Sequence, residues 1–212
     1  MADLATQYPS SPSFQSINFT TNTPTQVTNT MSGKLRRVGQ GVSFYSWEIK
    51  YPALTRLQAG TVKGFLAQAL GPQFSFEIVL PTLSYSALTS QTSSVPRTSA
   101  SVATGATSCT LTNCGANASV LAAGDYFKFN NAGHTKVYQC VSPCTANGSG
   151  VATLYFSGPA VYNNGSNIAV PSNTNLTITA VPFTAVFTEE AQEFEAGYGG
   201  LTTLSVTMRE VW

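Results

Sequence analysis

Ionisable side chains are scarce in this chain of 212 residues. Asp, Glu, Lys and Arg make up 9% of it, against roughly 25% in an ordinary soluble domain. The ten bases and nine acids leave a formal net charge of +1. Because nucleic acids and membrane surfaces are bound mainly through basic faces, the sequence predicts no sequence-specific nucleic-acid partner and no membrane partner.

The sequence also has no recognisable secretory signal and no long apolar run. The first ten residues contain neither a basic segment nor an apolar core. No run approaches the roughly 18 apolar residues that a membrane helix needs. We therefore expect a protein that is made and assembled in a cytoplasm.

Hydroxyl side chains supply the polarity that charges do not. The chain contains 28 Thr and 23 Ser, a composition that favours strands over helices. A surface with so little net charge gives a free monomer poor colloidal stability. The composition therefore favours a protein that works as part of an assembly.

The few charges are unevenly distributed, which predicts two domains. From residue 98 to residue 188 the acids and bases besides His134 are Asp125, Lys128 and Lys136. A Ser/Thr-rich stretch precedes this region and a proline-bounded stretch ends it. We predict an N-terminal arm over 1–13, an outer domain in two parts, 14–95 and 181–212, and an inserted small all-β domain over 96–180.

The sequence of the outer domain predicts a β-sandwich with one flanking helix. Apolar residues alternate over 43–51, which predicts a half-buried strand. From Leu54 through Leu57 to Leu70 they recur at helical spacing, which predicts a helix that ends before Gly71 and Pro72. Further strands are predicted over 74–80, 181–187 and 204–208. The last two are expected to be hairpin partners around a long loop.

The sequence of the inserted domain predicts short strands separated by turns. Apolar residues at 109–111, 126–129, 137–141 and 152–156 alternate with Gly- and Asn-rich turn sequences. Strands this short are most easily stabilised by closing on one another. The sequence therefore predicts a small β-barrel or sandwich.

Candidate catalytic and metal-binding residues are few, and we predict no enzyme, no cofactor and no metal site. The one histidine, His134, lies in a turn sequence and is expected to be exposed. The four cysteines, Cys109, Cys114, Cys140 and Cys144, could bind zinc, form local disulfides or serve as small hydrophobic residues. Their irregular spacing favours the last interpretation.

Two short segments concentrate charges of opposite sign. Lys34, Arg36 and Arg37 form the basic cluster, and Glu189, Glu190, Glu193 and Glu195 form the acidic one. The basic cluster could be an ordinary charged turn, and the acidic cluster a solvated or interface loop. The sharper hypothesis is a head-to-tail contact in which the basic cluster of one subunit faces the acidic segment of the next, as in a closed ring.

Tyrosines in the inserted domain raise the question of sugar binding. Tyr126, Tyr138, Tyr155 and Tyr162 could form a stacking platform for a glycan. Tyrosines on small β-domains more often fill the core and keep the hydroxyl at its rim. We favour the core role and keep a host-surface glycan as an alternative partner.

Several stretches resemble minor tail proteins of tailed bacteriophages, most closely the distal tail protein. In the outer domain they are Trp47–Thr55, Phe65–Gly71, Phe74–Phe76 and Leu201–Glu210, and in the inserted domain Leu121–Phe129 with Val137–Gln139. The resemblance implies a β-sandwich similar to the tail-tube fold, with one helix and an inserted β-domain that projects outward.

The resemblance also implies a function. A protein of this kind forms a ring, expected to be a hexamer, that joins the tail tube protein to the tail hub or tip protein and leaves a channel for DNA. Its location would be the virion tail. The alternatives are a carbohydrate-binding adhesion module and a head-to-tail connector or capsid-decorating protein.

Overall fold

The computed structural model describes residues 7–29, 31–39, 43–161, 168–189, 194–196 and 200–212. Strands make up 42% of the structure and helices 9%, with one α-helix and one six-stranded sheet that is nearly closed like a barrel. The predicted fold class, mainly β with one helix, is confirmed. The contacts divide the chain into two units, which we describe separately.

The helix α1 spans Arg56–Ala69, and a 3₁₀ turn, Gly71–Gln73, follows it. The strands in chain order are β1 (Ser16–Asn22), β2 (Thr25–Asn29), β3 (Leu35–Gly39), β4 (Phe44–Lys50), β5 (Phe76–Val79), β6 (Arg97–Thr98), β7 (Val102–Ala103), β8 (Ser108–Thr112), β9 (Ser119–Leu121), β10 (Tyr126–Phe129), β11 (Val137–Cys140), β12 (Cys144–Thr145), β13 (Ala152–Ser157), β14 (Ile168–Val170), β15 (Leu176–Thr177), β16 (Pro182–Phe187), β17 (Phe194–Ala196) and β18 (Thr202–Glu210).

Unit 1 contains the described residues of Met1–Asn22, Phe44–Val79 and Phe183–Trp212. Its sheet has the strand order β1-β4-β18-β16-β5, and β17 pairs with β18. The predicted hairpin partnership is confirmed, because β16 and β18 are antiparallel neighbours with Ala185 opposite Glu210. Buried and exposed residues alternate along β18, as expected for a strand with one face on the core.

Aromatic side chains dominate the core of unit 1. Trp47 on β4 lies between Phe19 and Phe183, with ring centroids 5.9 and 5.6 Å away. Phe76 contacts Phe65 of α1 at 5.1 Å and Phe187 of β16 at 4.7 Å. Such rings bury large apolar areas, so they tie the sheet to the helix.

The helix begins later than predicted, and this changes which residues it buries. Thr55 caps it, and the Gln58 side chain accepts a hydrogen bond from the Thr55 N–H in return. Leu54 therefore precedes the helix, where its backbone pairs with Thr202. The prediction that Leu57 lies on the apolar face is wrong: its side chain is 85% exposed. The buried face consists of Ala59, Val62, Phe65, Leu66 and Ala69.

Unit 2 contains the described residues of Thr23–Ser43 and Leu80–Pro182. Its main sheet has the order β15-β10-β11-β13-β8-β6. The two end strands meet, because Arg97 forms a bridge with Asn175 and the Leu176 N–H donates to the Pro96 carbonyl at 2.8 Å. This seam makes the sheet the nearly closed barrel that the short strands predict.

The interior of the barrel is apolar. Tyr138 lies at its centre, with Phe127, Phe129 and Phe156 at centroid distances of 5.8, 5.5 and 5.1 Å. The β-branched and aliphatic residues of the surrounding strands complete a single buried cluster. Burial of this cluster gives the short strands a stability that pairing alone would not.

The division of the chain differs from the predicted boundaries in two places. By contacts, residues 80–95 and the β2–β3 segment belong with the barrel unit rather than with the outer domain. Residues 80–95 are attached by side chains: the Gln91 amide donates to the carbonyls of Val120 and Ile178. Of the N-terminal arm, Tyr8 is buried in unit 1, and its N–H donates to the Glu77 carbonyl at 2.8 Å.

Asp125 holds another part of residues 80–95 to the barrel. Its carboxylate accepts hydrogen bonds from the Ser86 hydroxyl, from the Ala87 N–H at 2.9 Å and from the Ala122 N–H at 2.8 Å. Asp125 is 5% exposed. A buried carboxylate with three donors is a strong anchor, because each donor would otherwise be left unsatisfied.

We therefore predict that Asp125→Asn lowers the free energy of unfolding by about 2 kcal/mol, because the amide cannot accept at both positions. Chemical denaturation measures the change. Glu48→Gln is the control: Glu48 is paired at the surface with Lys50, and that variant should lose less than about 0.5 kcal/mol. Equal stability of Asp125→Asn and the wild type would contradict the anchoring role.

Candidate functional site

The basic cluster lies on a β-hairpin rather than in a charged turn. β2 and β3 are antiparallel over five residue pairs, from Thr25 opposite Gly39 to Asn29 opposite Leu35. Gly33, in the connection between them, has a φ of +76°, a conformation that glycine adopts without strain. The interpretation of Lys34–Arg37 as an ordinary turn is therefore wrong for Arg36 and Arg37, which are strand residues.

Both faces of this hairpin are exposed. Residues opposite each other share a face, so Val27, Leu35 and Arg37 lie on one face and Arg36 and Val38 on the other. All ten strand residues are exposed, and Val27 and Val38 keep 56% and 61% of their surface. In the described part of the chain, neither strand pairs with a third strand.

Such a hairpin has no core of its own. An isolated strand pair is at best marginally stable in water, because it needs a third strand or a packed layer. Contiguous exposed apolar side chains mark contact surfaces, and Val27 and Leu35 lie on the same face of the hairpin. The geometry therefore makes the β2–β3 hairpin the candidate interaction surface of the protein.

The hairpin is also the most basic part of the chain. Residues 23–43 contain Lys34, Arg36 and Arg37 and no acid, a local charge of +3 in a chain whose total is +1. Within the described residues, the guanidinium groups of Arg36 and Arg37 form no ion pair or hydrogen bond. Both are thus free to meet an acidic partner.

The acidic segment belongs to unit 1 and is described in part. Glu189 is exposed, and Glu195 lies on β17 with its backbone opposite Thr203. Glu190 and Glu193 lie outside the described residues. Next to Glu195, the Phe194 ring is held by Lys63 of α1, whose Nζ is 4.4 Å from the ring centroid. The contact between the acidic segment and the basic cluster stays a prediction.

A polar groove of about 640 Å³ crosses the exposed face of the unit 1 sheet. Its two charges are Glu48 and Lys50, whose oxygen and nitrogen are 3.4 Å apart, and the Asn18 amide also donates to Glu48 at 3.1 Å. The rest of the lining mixes polar residues, Gln15, Thr203 and Ser205, with Tyr51, Phe194 and Leu204. Because its charges neutralise each other, the groove presents a weakly charged, hydrated surface.

His134 is buried, so the expectation of an exposed turn histidine is wrong. It is 3% exposed and its ring stacks on Tyr138 at 5.7 Å. Nε2 lies 3.1 Å from the Tyr138 hydroxyl, which also accepts the Val161 N–H at 3.0 Å. Burial, and then the charges of Lys128 and Lys136, lower the pKa of His134 to about 4. A buried, neutral imidazole of this kind acts as a core residue.

The four cysteines are free thiols, three of them buried and Cys109 half-buried. They contribute to the barrel core, as the favoured interpretation predicts. Burial raises the pKa of Cys109 and of Cys144 to about 12, which keeps these sulfurs protonated and poorly nucleophilic. Among the described residues, no group of three or more His, Cys, Asp or Glu side chains is arranged to hold a metal ion.

The tyrosines do not form a platform. Tyr126 and Tyr138 are 8% and 0% exposed, in agreement with the favoured core role, and Tyr155 is 52% exposed on β13. Tyr162 lies outside the described residues. The stacking hypothesis is therefore wrong for the two buried rings, whose faces no ligand can reach.

Comparisons with known proteins add no relative. No protein-family model matches this chain, and no curated protein matches it. In the described segments, no helix is long and apolar enough to cross a bilayer.

The lowered pKa of His134 predicts a pH-dependent stability. The unfolded chain binds a proton near pH 6.5 and the folded one near pH 4, so the free energy of unfolding falls as the pH drops through this window. The decrease in the free energy of unfolding that is due to His134 should reach about 3 kcal/mol at pH 4.

Unfolding of the wild type and of His134→Gln at pH 7, 6, 5 and 4 measures this contribution. Gln keeps a polar group near Tyr138 without titrating, so the stability gap between wild type and variant should shrink or reverse towards pH 4. A gap that is constant with pH would show that His134 does not titrate as its burial requires.

Proposed function

We propose that the protein is a structural component of a tailed-phage virion that assembles with copies of itself into a ring between the tail tube and the tail tip. The observation that carries the proposal is the β2–β3 hairpin, with both faces exposed and a charge of +3. A neighbouring subunit would supply the missing layer. Its acidic segment, Glu189 to Glu195, would supply the opposite charge.

A second feature favours self-assembly. β1 ends the strand order of the unit 1 sheet, and its seven residues, Ser16–Asn22, include no proline and no charge. Proteins that must stay monomeric usually protect such an edge with lysine, proline or a bulge. Among the described strands, β4 alone pairs with β1, so the other edge of β1 can accept a strand from another subunit.

The proposed location in a phage tail rests on the sequence resemblance. Most of the residues that carry it in the outer domain belong to β4, α1 and β18, which contribute Trp47, Phe65 and Met208 to the core of unit 1. The exposed face of the same sheet bears the weakly charged groove with Glu48 and Lys50. A surface without net charge would suit the wall of a channel, because it would not retain passing DNA.

Microscopy of intact particles that carry a label on this protein tests the location. The proposal expects the label between the tube and the tip. A label at the head-to-tail junction or on the capsid would favour the connector or the decorating protein instead. Absence from the particle would overturn the virion role altogether.

Reversing the charge of Arg36 and Arg37 should block assembly. In the double variant Arg36→Glu/Arg37→Glu, the hairpin would repel the acidic segment of the next subunit, and self-association should weaken by at least about tenfold. Native mass spectrometry and light scattering over a range of protein concentrations measure the oligomer. The matched control, Arg36→Lys/Arg37→Lys, keeps the charge and should assemble.

A charge swap identifies the partner segment. Adding Glu189→Arg and Glu190→Arg to the reversed hairpin should restore the oligomer, because the contact would be rebuilt with opposite signs. Recovery would also show that the reversed hairpin is still folded. Unchanged assembly of the first double variant, or failure of the swap to rescue it, would contradict the proposed contact.

The apolar residues of the hairpin allow an independent test. The triple variant Val27→Ser/Leu35→Ser/Val38→Ser removes three side chains that are 56%, 47% and 61% exposed, so the monomer's free energy of unfolding should change by less than about 1 kcal/mol. Assembly should nevertheless be lost, as sedimentation can measure. A much less stable monomer would mean that these side chains pack within their own chain.

A further inference from the structure

The segment 80–182, which contains the barrel, has very few charges. Its Asp, Glu, Lys and Arg side chains are Arg97, Asp125, Lys128 and Lys136. Asp125 and Lys136 are 5% and 2% exposed, so they contribute little to the surface. The charges that reach solvent in this segment are therefore two half-buried cations, Arg97 and Lys128.

Both cations lie beside the same strand, β15. Lys128 on β10 is opposite Thr177, and Arg97 on β6 forms a bridge with Asn175. Leu176, between Asn175 and Thr177, belongs to the buried cluster, so its two neighbours face the outside of the barrel. Because opposite residues share a face of the sheet, Arg97 and Lys128 flank Asn175 and Thr177 on that outer face.

A second groove, of about 320 Å³, runs along this part of the barrel. Asn130, Asn175 and Thr177 line one side of it, and the segment Thr92–Pro96 lines the other. Within the described residues, the side chains of Asn130 and Asn175 make no hydrogen bond. The groove therefore presents amide and hydroxyl donors next to the two cations.

Arg97 has a donor that is not used within the described chain. Its Nη1 donates to the Asn173 side chain at 3.1 Å, which holds the guanidinium in place. Its Nε is buried and has no acceptor among the residues that the structure describes. A buried donor without an acceptor costs free energy, and guanidinium donors pair most strongly with oxyanions. An oxyanion bound beside Arg97 could supply the missing acceptor.

No acidic side chain of this segment neutralises the two cations. Asp125 is buried, and its carboxylate already accepts hydrogen bonds from Ser86 and from two backbone N–H groups. The positive field also extends into the barrel, because the charges of Lys128 and Lys136 add to burial in lowering the pKa of His134. The surface beside β15 thus favours an anion.

These features point to a phosphate group that belongs to a larger molecule. Phosphate oxygens accept several hydrogen bonds at once, which suits a guanidinium, an ammonium, amides and hydroxyls together. The groove also has an apolar part, formed by Val95, Leu176 and Ile178, and Val95 is 51% exposed. Apolar surface gains nothing from a bare ion but can contact a carbon group attached to it. We propose that this groove binds a small organic phosphate, with the phosphate group beside Arg97 and Lys128.

Matched ligands test the proposal on the full chain. Phenyl phosphate and glycerol 3-phosphate carry the phosphate, phenol and glycerol are their uncharged counterparts, and inorganic phosphate lacks the attached group. In titrations followed by NMR or calorimetry, at least one organic phosphate should bind with a Kd below about 5 mM. Its uncharged counterpart should bind at least about tenfold more weakly, and inorganic phosphate at least about threefold more weakly.

Three results would contradict the proposal. If neither organic phosphate binds, the site does not exist. If the uncharged counterpart binds as tightly as its phosphate, the cations do not select the ligand. If inorganic phosphate binds as tightly as the organic phosphates, the apolar part of the groove has no role and the ligand class is wrong.

Charge changes at the two cations locate the site. Arg97→Gln and Lys128→Gln should each weaken binding of the organic phosphate by at least about fivefold, because each removes one cation. Lys128→Arg keeps the charge and should bind like the wild type. The control, Lys50→Gln, removes a cation from unit 1 and should also bind like the wild type. Full binding by both groove variants would overturn the assignment.

A second pair of variants leaves Arg97 and Lys128 in place. Ser93 lines the groove and is exposed, so a substitution there leaves the core unchanged. Ser93→Glu should repel the phosphate and weaken binding by at least about tenfold. Ser93→Gln adds a side chain of nearly the same size without charge and should bind much more tightly than Ser93→Glu. Equal affinity of these two variants would contradict the proposed site.

Phosphate binding and ring assembly can fail separately. The groove residues are distinct from the hairpin, so the oligomeric mass of each variant is measured on the same samples. The groove variants should assemble like the wild type. The hairpin variant Arg36→Glu/Arg37→Glu should bind the organic phosphate with unchanged affinity per chain.

Discussion

A pair of β-strands needs a third strand or a packed layer to be stable in water. This requirement distinguishes the β2–β3 hairpin from the other strands that the structure describes. The strands of the barrel surround an apolar interior that includes Phe127 and Tyr138. In unit 1, Trp47 of β4 packs against Phe19 and Phe183. The β2–β3 hairpin has ordered pairing and an apolar side chain on each face, but all ten of its strand residues are exposed and no third strand pairs with it in the described part of the chain. In the proposed assembly, a neighbouring subunit supplies the layer that the hairpin lacks.

The scarcity of charge is consistent with this view. Hydroxyls form much of the polar surface, and several also fix the backbone: the Thr98 hydroxyl donates to the Pro171 carbonyl at 2.9 Å and accepts the Thr174 N–H at 2.9 Å. Two short segments carry charges of one sign each, the basic cluster with Arg36 and Arg37 and the acidic segment. In the proposed assembly these two segments would face each other.

Strict alternation explains which elements could be predicted from the sequence. The strands around Trp47 and Met208 alternate apolar and polar residues, and α1 ends next to Gly71 and Pro72, so these signals are local. β1 and the hairpin were missed because threonine and asparagine fill many of their positions, which blurs the period. The pairing of Arg36 with Thr28 becomes visible only with the partner strand in place.

The candidate sites depended on contacts that sequence does not carry. His134 follows a turn sequence, yet Phe129 and Tyr138 cover it from β10 and β11. The seam of the barrel joins Arg97 and Asn175, which are distant along the chain and meet where the barrel closes. No periodicity could indicate such a meeting. The charge clusters were visible from composition, but a contact between subunits needs a second chain.

Hydrogen exchange of the hairpin amides tests the central claim most directly. At a dilution where the protein is monomeric, the amides of β2 and β3 should exchange almost as fast as those of an unfolded peptide, whereas those of β11 and β18 stay protected. At concentrations where the oligomer forms, the hairpin amides should become protected as well. Strong protection of the hairpin in the monomer, or none in the oligomer, would contradict the account.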